Sequence, residues 1–403
     1  MIRTTTYAYP WDVGRLGPER VLADLADKGI AALDLAATYH PIDALSPRDG
    51  MHLYSSPRGA VHFPAREGRY ARIAPSFDPD PAIREAWRAV DDARSAHGIG
   101  LNAWTVLLFQ PWIADAHPGC ARTLPSGDRS GQVLCQASPD VQEYYANLCA
   151  DLADQFDIGT LRLEMAAPPT FDYGWLRPRI LVELTPLTRQ LLAVCFCPSC
   201  VRRGAADGID VEGVRRRVLS WVDAETAQSA GSAGTVGAAG HRADEVAADA
   251  ELRAFVVLHE RATAELVRAT VSQVDAARRP RISTIVHSPY DGLLGDDRRS
   301  LTADLLSAVD QVLVFPSGDP ERTSMVVELA AGPPPVGLAT FLVPVQLATL
   351  AGMGEDPGGG DKVRRDLRSA GAFGLEEVNI YNYGLLRDED VRGLLEAIGE
   401  ELG

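Results

Sequence analysis

The stretch Gly159-Thr-Leu-Arg-Leu-Glu-Met-Ala-Ala167 alternates the apolar Leu161, Leu163 and Met165 with the charged Arg162 and Glu164. Side chains along a strand point alternately to opposite faces, so the three apolar residues share one side and the two charges the other. Such a strand suits a closed barrel. Its apolar side meets an outer helix, and its charged side faces an interior that opens at the carboxyl end of the strand. Glu164 is then expected at the mouth.

Outward from this stretch, β-rich segments and segments of helical periodicity take turns along the chain. Strands are expected at 4–9, 30–36, 100–110, 159–167, 281–287, 311–315, 336–342 and 377–383. Between them, spacings such as Val21, Leu22 and Leu25 mark one face of a helix. Ser138-Pro139-Asp140 reads as an N-cap with proline at the first helical position, and a long helix is expected over 243–277. Eight βα units predict an α/β fold, a (β/α)8 TIM barrel, with a doubly wound sheet plus an added domain as its competitor. The helix-to-strand connections are short, whereas the long excursions leave strands 2, 3 and 4. That asymmetry predicts insertions walling the face where barrels build their sites. The expected organisation is one barrel domain over 1–403, with a helical insertion at 168–280 that carries a cysteine cluster. Within it, the segment Ala227-Gln-Ser-Ala-Gly-Ser-Ala-Gly-Thr-Val-Gly-Ala-Ala-Gly240 has nothing large to bury and is expected to be a flexible connector over 227–240.

Composition narrows the function. The net charge is −16, with 55 acidic residues against 39 Lys and Arg, which argues against a nucleic-acid partner because phosphate binding needs clustered cations. No apolar run approaches the roughly 20 residues that span a bilayer, so no membrane partner is expected. The first residues, Met1-Ile-Arg-Thr-Thr-Thr-Tyr7, lack the charged-then-apolar order of a secretory signal. The expectation is a cytoplasmic protein. Six cysteines in 403 residues are too few for a disulfide scaffold.

The alternation rule also nominates the residues that point into the barrel. These are Tyr7 and Tyr9 from strand 1, Asn102 and Trp104 from strand 3, Arg162 and Glu164 from strand 4, His287 from strand 5, and Asn379 and Tyr381 from strand 8. Loops add His40, His62, Tyr173 and Trp175. Aromatic planes with amides and a few charges suit a carbohydrate, whose rings stack on aromatics while its hydroxyls take paired hydrogen bonds. The expected partner is a small carbohydrate or glycoside. Glu164 is the principal catalytic candidate, with Arg162 on the same face expected to hold it ionised unless a dry pocket raises its pKa. Glycoside hydrolysis takes two carboxyl groups, and Asp172 and Asp291 are the candidates for the second. Two other readings stay open: a metal-dependent sugar isomerase or epimerase using Glu164 and histidines, and a non-catalytic sugar-binding barrel.

Cys195-Phe-Cys-Pro-Ser-Cys200 puts three thiols within six residues, and its Cys-Pro-x-Cys turn suits a zinc knuckle. Zinc takes four ligands, and Cys120, Cys135 and Cys149 lie far off in sequence. A structural zinc held by Cys195, Cys197 and Cys200 therefore stands beside buried free thiols or a local bridge, and no other cofactor is expected.

The segment from Leu191 to Arg215, which contains this cluster, resembles one found in bacterial glycosyl-hydrolase-like barrel proteins. Leu134-Cys-Gln-Ala-Ser-Pro-Asp-Val-Gln-Glu-Tyr144 and Asn379-Ile-Tyr-Asn-Tyr-Gly384 resemble the same group. The resemblance implies a (β/α)8 barrel and carbohydrate chemistry. Arg162-Leu-Glu164 is also similar to the strand-4 pattern of amylase-type hydrolases, whose nucleophile is an Asp two residues after an Arg. This sequence has Glu there, and His287 rather than an acid on strand 5.

Overall fold

The computed structural model describes residues 2–48, 50–171, 182, 184–229, 237–315, 320–342 and 359–403. Its core is a closed sheet of eight parallel strands: β1 (Arg3–Ala8), β2 (Ala32–Tyr39), β3 (Gly100–Val106), β4 (Thr160–Glu164), β5 (Arg281–Ile285), β6 (Gln311–Val314), β7 (Gly337–Leu342) and β8 (Glu377–Ile380). Each strand pairs with the next, and β8 pairs with β1, with Thr5 opposite Asn379. The fold is a (β/α)8 TIM barrel. Its closure removes the sheet edges that an open sheet would leave unpaired.

The apolar face of each strand meets the outer helices. Leu161 and Leu163 of β4 are buried in the same cluster as Tyr145, Leu148 and Leu152 of the helix Pro139–Gln155. Each fully buried leucine of this kind stabilises the fold by roughly 1.5–3 kcal/mol. Phe156 caps the end of that helix, and four residues later β4 begins.

The long excursions do leave the carboxyl ends of β2, β3 and β4. After β2 the chain forms a hairpin, Ile42–Ser46 with His52–Ser56, and then Ala60–Val61 adds antiparallel to the end of β2. After β3 come the short helix Pro111–Ala116 and the hairpin Ala121–Thr123 with Arg129–Leu134. The insertion after β4 contains the helices Pro186–Ala193, Pro198–Ala206, Val211–Ser229 and Gly237–Ala248. It builds a second apolar cluster, in which Val214, Val218 and Phe255 are buried together with Tyr290 from the segment after β5.

The expected connector over 227–240 falls mostly outside the described residues: one helix runs to Ser229 and the next starts at Gly237. One expectation changes here. The long helix expected over 243–277 is broken at Asp249, whose side chain accepts a hydrogen bond from Leu252 N and caps a new helix, Ala250–Ala269. Among the described residues, no helix is long and apolar enough to cross a membrane.

Candidate active site

The barrel interior has two layers. The lower layer is a polar floor centred on Arg162, whose guanidinium reaches across the barrel. Its Nε donates to Asp34 Oδ1 at 2.8 Å and its Nη1 to Ser283 Oγ at 3.0 Å, and it also bonds Gln311 and Glu377. Asn102 Nδ2 donates to Asp34 Oδ1 at 2.8 Å, Thr5 Oγ1 donates to Asp34 Oδ2 at 2.6 Å, and Asn379 Nδ2 donates to Thr5 Oγ1 at 2.6 Å. Asp34, Asn102, Arg162, Glu377 and Asn379 are all buried. Two carboxylates thus face one buried cation, the condition under which buried charge is tolerated.

This corrects the expectation that Arg162 tunes Glu164. Residues two apart on a strand are separated by more than 6 Å along it, and Arg162 extends sideways to β2 and β8 rather than upward. Asn102, Arg162 and Asn379, expected to bind substrate, lie in the floor beneath the mouth.

The upper layer is an aromatic bowl around Glu164. Trp104 Nε1 donates to Glu164 Oε2 at 2.7 Å, and the Trp104 ring meets those of Tyr7, Tyr39 and Tyr381 edge-on at 4.8, 4.6 and 5.6 Å. Three phenol oxygens converge beside them: Tyr9 and Tyr381 are 2.7 Å apart, Tyr39 and Tyr381 3.0 Å, and Tyr9 and Tyr39 3.2 Å. Burial, reinforced by the charge of Glu164, holds these phenols above their ordinary range, so they stay protonated. Burial also pushes the Glu164 carboxyl up to about 7, and the Trp104 hydrogen bond works against that rise. Directly after Glu164 the backbone turns left-handed at Met165, with φ 57°. Non-glycine residues adopt that conformation at a cost, and such residues cluster at functional sites.

The bowl opens unevenly. Tyr9, Tyr39 and Trp104 close its β1–β3 side and are buried, whereas Glu164, His287, Phe315 and Phe341, at the ends of β4 to β7, keep partial exposure.

The remaining expected residues do not all gather there. His40 is buried against Tyr39 and Phe109, with Nδ1 2.7 Å from the Pro41 carbonyl, and burial brings its pKa down to about 4. His62 is buried edge-on to Trp11, 3.5 Å from Asp78 Oδ2. His287 hydrogen-bonds the backbone of Ala167 and Pro168, and burial, helped by Arg322, lowers its pKa to about 4. Asp291 is bonded by Arg322 and lies 3.5 Å from Arg298 Nε. Asp172, Tyr173 and Trp175 lie outside the described residues. Among the described residues, the histidines and Glu164 form no group that could hold a metal ion.

The one such group described is made of Cys135, Cys195, Cys197 and Cys200, all buried, with their sulfurs within 4.8 Å of one another. Cys135, about 60 residues before the other three, joins the triplet named from sequence.

Sequence reasoning missed Tyr39 and Glu260. A bulge between Ala36 and Thr38 shifts the alternation of β2, so that Tyr39 rather than Thr38 joins the bowl. Glu260 lies on the helix before β5 and accepts from Ser288 Oγ at 2.5 Å, and burial pushes it up to about 7. Nothing in its local sequence marks it.

The chain matches no protein-family model and no curated protein. Among solved structures it is similar to the catalytic domain of β-amylase from Paenibacillus polymyxa, at 11% identity and TM-score 0.56, over 99% of this chain and 98% of that one. It is also similar to α-L-fucosidase isoenzyme 2 from Paenibacillus thiaminolyticus, at 12% identity and TM-score 0.55, over 100% of this chain and 49% of that one. A β-galactosidase from the Antarctic haloarchaeon Halorubrum lacusprofundi aligns at 15% identity and TM-score 0.55, over 98% of this chain and 57% of that one. The likeness is one of fold. The chain spans about half the length of the fucosidase.

Proposed function

We propose that this barrel hydrolyses a glycosidic bond, with Glu164 as the proton donor. The observation that carries this reading is a carboxyl group raised to about 7 by burial, at the mouth of the barrel and inside an aromatic bowl. A general acid works best when its pKa lies near the working pH, because enough of it is then protonated and it still gives up its proton readily. Glu164 would protonate the glycosidic oxygen as the bond to the anomeric carbon breaks, and water would take the glycosyl group. Phe315 and Phe341, the partly exposed aromatics at the rim, supply the apolar walls against which a sugar ring would pack. The names of the similar structures, an amylase, a fucosidase and a galactosidase, support a carbohydrate substrate.

A second carboxyl group completes such a site. Asp291 is engaged by two arginines, and Asp172, in the excursion that follows Glu164, would take this role.

The test is a panel of aryl and natural glycosides with the wild-type chain, Glu164→Gln and Asp172→Asn. Loss of the acid is expected to cost about 10²–10⁴-fold in kcat on substrates with poor leaving groups, and much less on activated aryl glycosides that need no protonation. Equal losses on both kinds of substrate would remove Glu164 from the acid role. Calorimetric binding of a sugar with no product from any substrate would instead favour a non-catalytic barrel.

A further inference from the structure

The cysteine cluster has a geometry that packing alone does not call for. Four buried thiols face one another from two excursions of the barrel. Cys135 follows the hairpin after β3, while Cys195, Cys197 and Cys200 belong to the insertion after β4. The sulfurs of Cys135 and Cys200 are 3.5 Å apart, well beyond the roughly 2.05 Å of a disulfide. Four sulfurs bound to one zinc at about 2.3 Å would lie about 3.8 Å from each other at the corners of a tetrahedron. The observed spacing, all within 4.8 Å, is that of ligands around one ion. An iron–sulfur cluster divides four thiolates among two or four irons and would spread them wider.

The surroundings suit thiolates. Cys197 is the N-cap of the helix Pro198–Ala206, so its sulfur and that of Cys200 sit at the positive end of a helix dipole. The Thr123 backbone N–H points at Cys195 Sγ from 3.4 Å, and the Cys200 backbone N–H bonds the Cys197 sulfur. His259, buried beside the cluster, fixes the loop instead of joining it: one ring nitrogen lies 2.9 Å from the Cys195 carbonyl and the other 2.7 Å from that of Phe255. Neighbouring main chain is also stitched together, with Phe196 N donating to the Thr123 carbonyl at 2.8 Å and Cys135 N to that of Cys120 at 2.8 Å.

We propose that Cys135, Cys195, Cys197 and Cys200 bind one zinc ion in a closed tetrathiolate site that ties the excursion after β3 to the insertion after β4. All four positions are filled by protein, so the ion is structural and leaves no place for substrate. Binding displaces the thiol protons, and because the four ligands come together only in the folded chain, the binding energy adds to folding. The site stands whether or not Glu164 is a general acid.

The experiment is elemental analysis of the full-length chain, purified without added metal or chelator. One zinc per chain is expected. Titration of that wild-type protein with a mercurial should release zinc in step with modification of four thiols, read with a chromogenic zinc indicator. Replacement of zinc by cobalt should give the intense sulfur-to-metal charge-transfer absorption of a tetrathiolate. Cys135→Ser is expected to lower both zinc content and melting temperature, while Glu164→Gln keeps a full complement of zinc. Four thiols that titrate without releasing metal, stoichiometric iron, or disulfides within the cluster would each overturn the proposal. The wild-type measurements decide the matter even if the cysteine variant fails to fold.

Discussion

A carboxyl group placed where nearby water is scarce keeps its proton to higher pH, and a hydrogen bond to its charged form partly reverses that. Both effects meet at Glu164, where burial raises the pKa to about 7 and the Trp104 indole N–H lowers it. Removing the indole donor should therefore raise the pKa further. In Trp104→Phe, the alkaline limb of kcat/KM against pH, set by loss of the acid's proton, is expected to move to higher pH. An unchanged or lower limb would show that this hydrogen bond does not set the pKa of the catalytic acid. The phenols of Tyr9, Tyr39 and Tyr381, held protonated beside it, add no competing titration in this range.

At the scale of elements, stability rests on a few caps and joints. Asp249 accepts from Leu252 N at 2.8 Å and from Arg217 Nε at 2.6 Å, so one carboxylate starts the helix Ala250–Ala269 and fastens it to Val211–Ser229. Asp249→Ala is expected to lower unfolding free energy by about 1–2 kcal/mol, measured as an earlier urea midpoint with an unchanged slope. Strand order and the three long excursions were legible in the sequence because alternation and helical spacing are local signals. What escaped was either a change of phase or a long-range meeting. The bulge at Ala36/Thr38 moved Tyr39 into the bowl. The cap at Asp249 split an apparently continuous helix, because the apolar spacing runs through the break. Arg162 was correctly expected to face inward, but its ion pairs with Asp34 and Glu377 depend on strands 128 and 215 residues away, which alternation cannot pair. Cys135 escaped for the same reason.

For the molecule as a whole, the closed barrel sets a floor of buried charge beneath a bowl that holds the candidate chemistry. Arg162→Met would leave Asp34 and Glu377 buried without their shared cation, at a cost of about 3–5 kcal/mol. The expected result is a lower melting temperature and a poor soluble yield, with Arg162→Lys also destabilised because one ammonium cannot reproduce the guanidinium fork. A variant as stable as the wild type would mean that the floor does not need its cation. The order of chain synthesis gives this floor a further consequence. Arg162 is made after Asp34 but well before Glu377, on the last strand. A chain emerging in order holds a guanidinium whose second carboxylate does not yet exist, so the floor cannot be completed until β8 has left the ribosome. Barrel closure and charge neutralisation then arrive together, and a prematurely terminated chain would be left open, with an incompletely neutralised charge that marks it as unfinished.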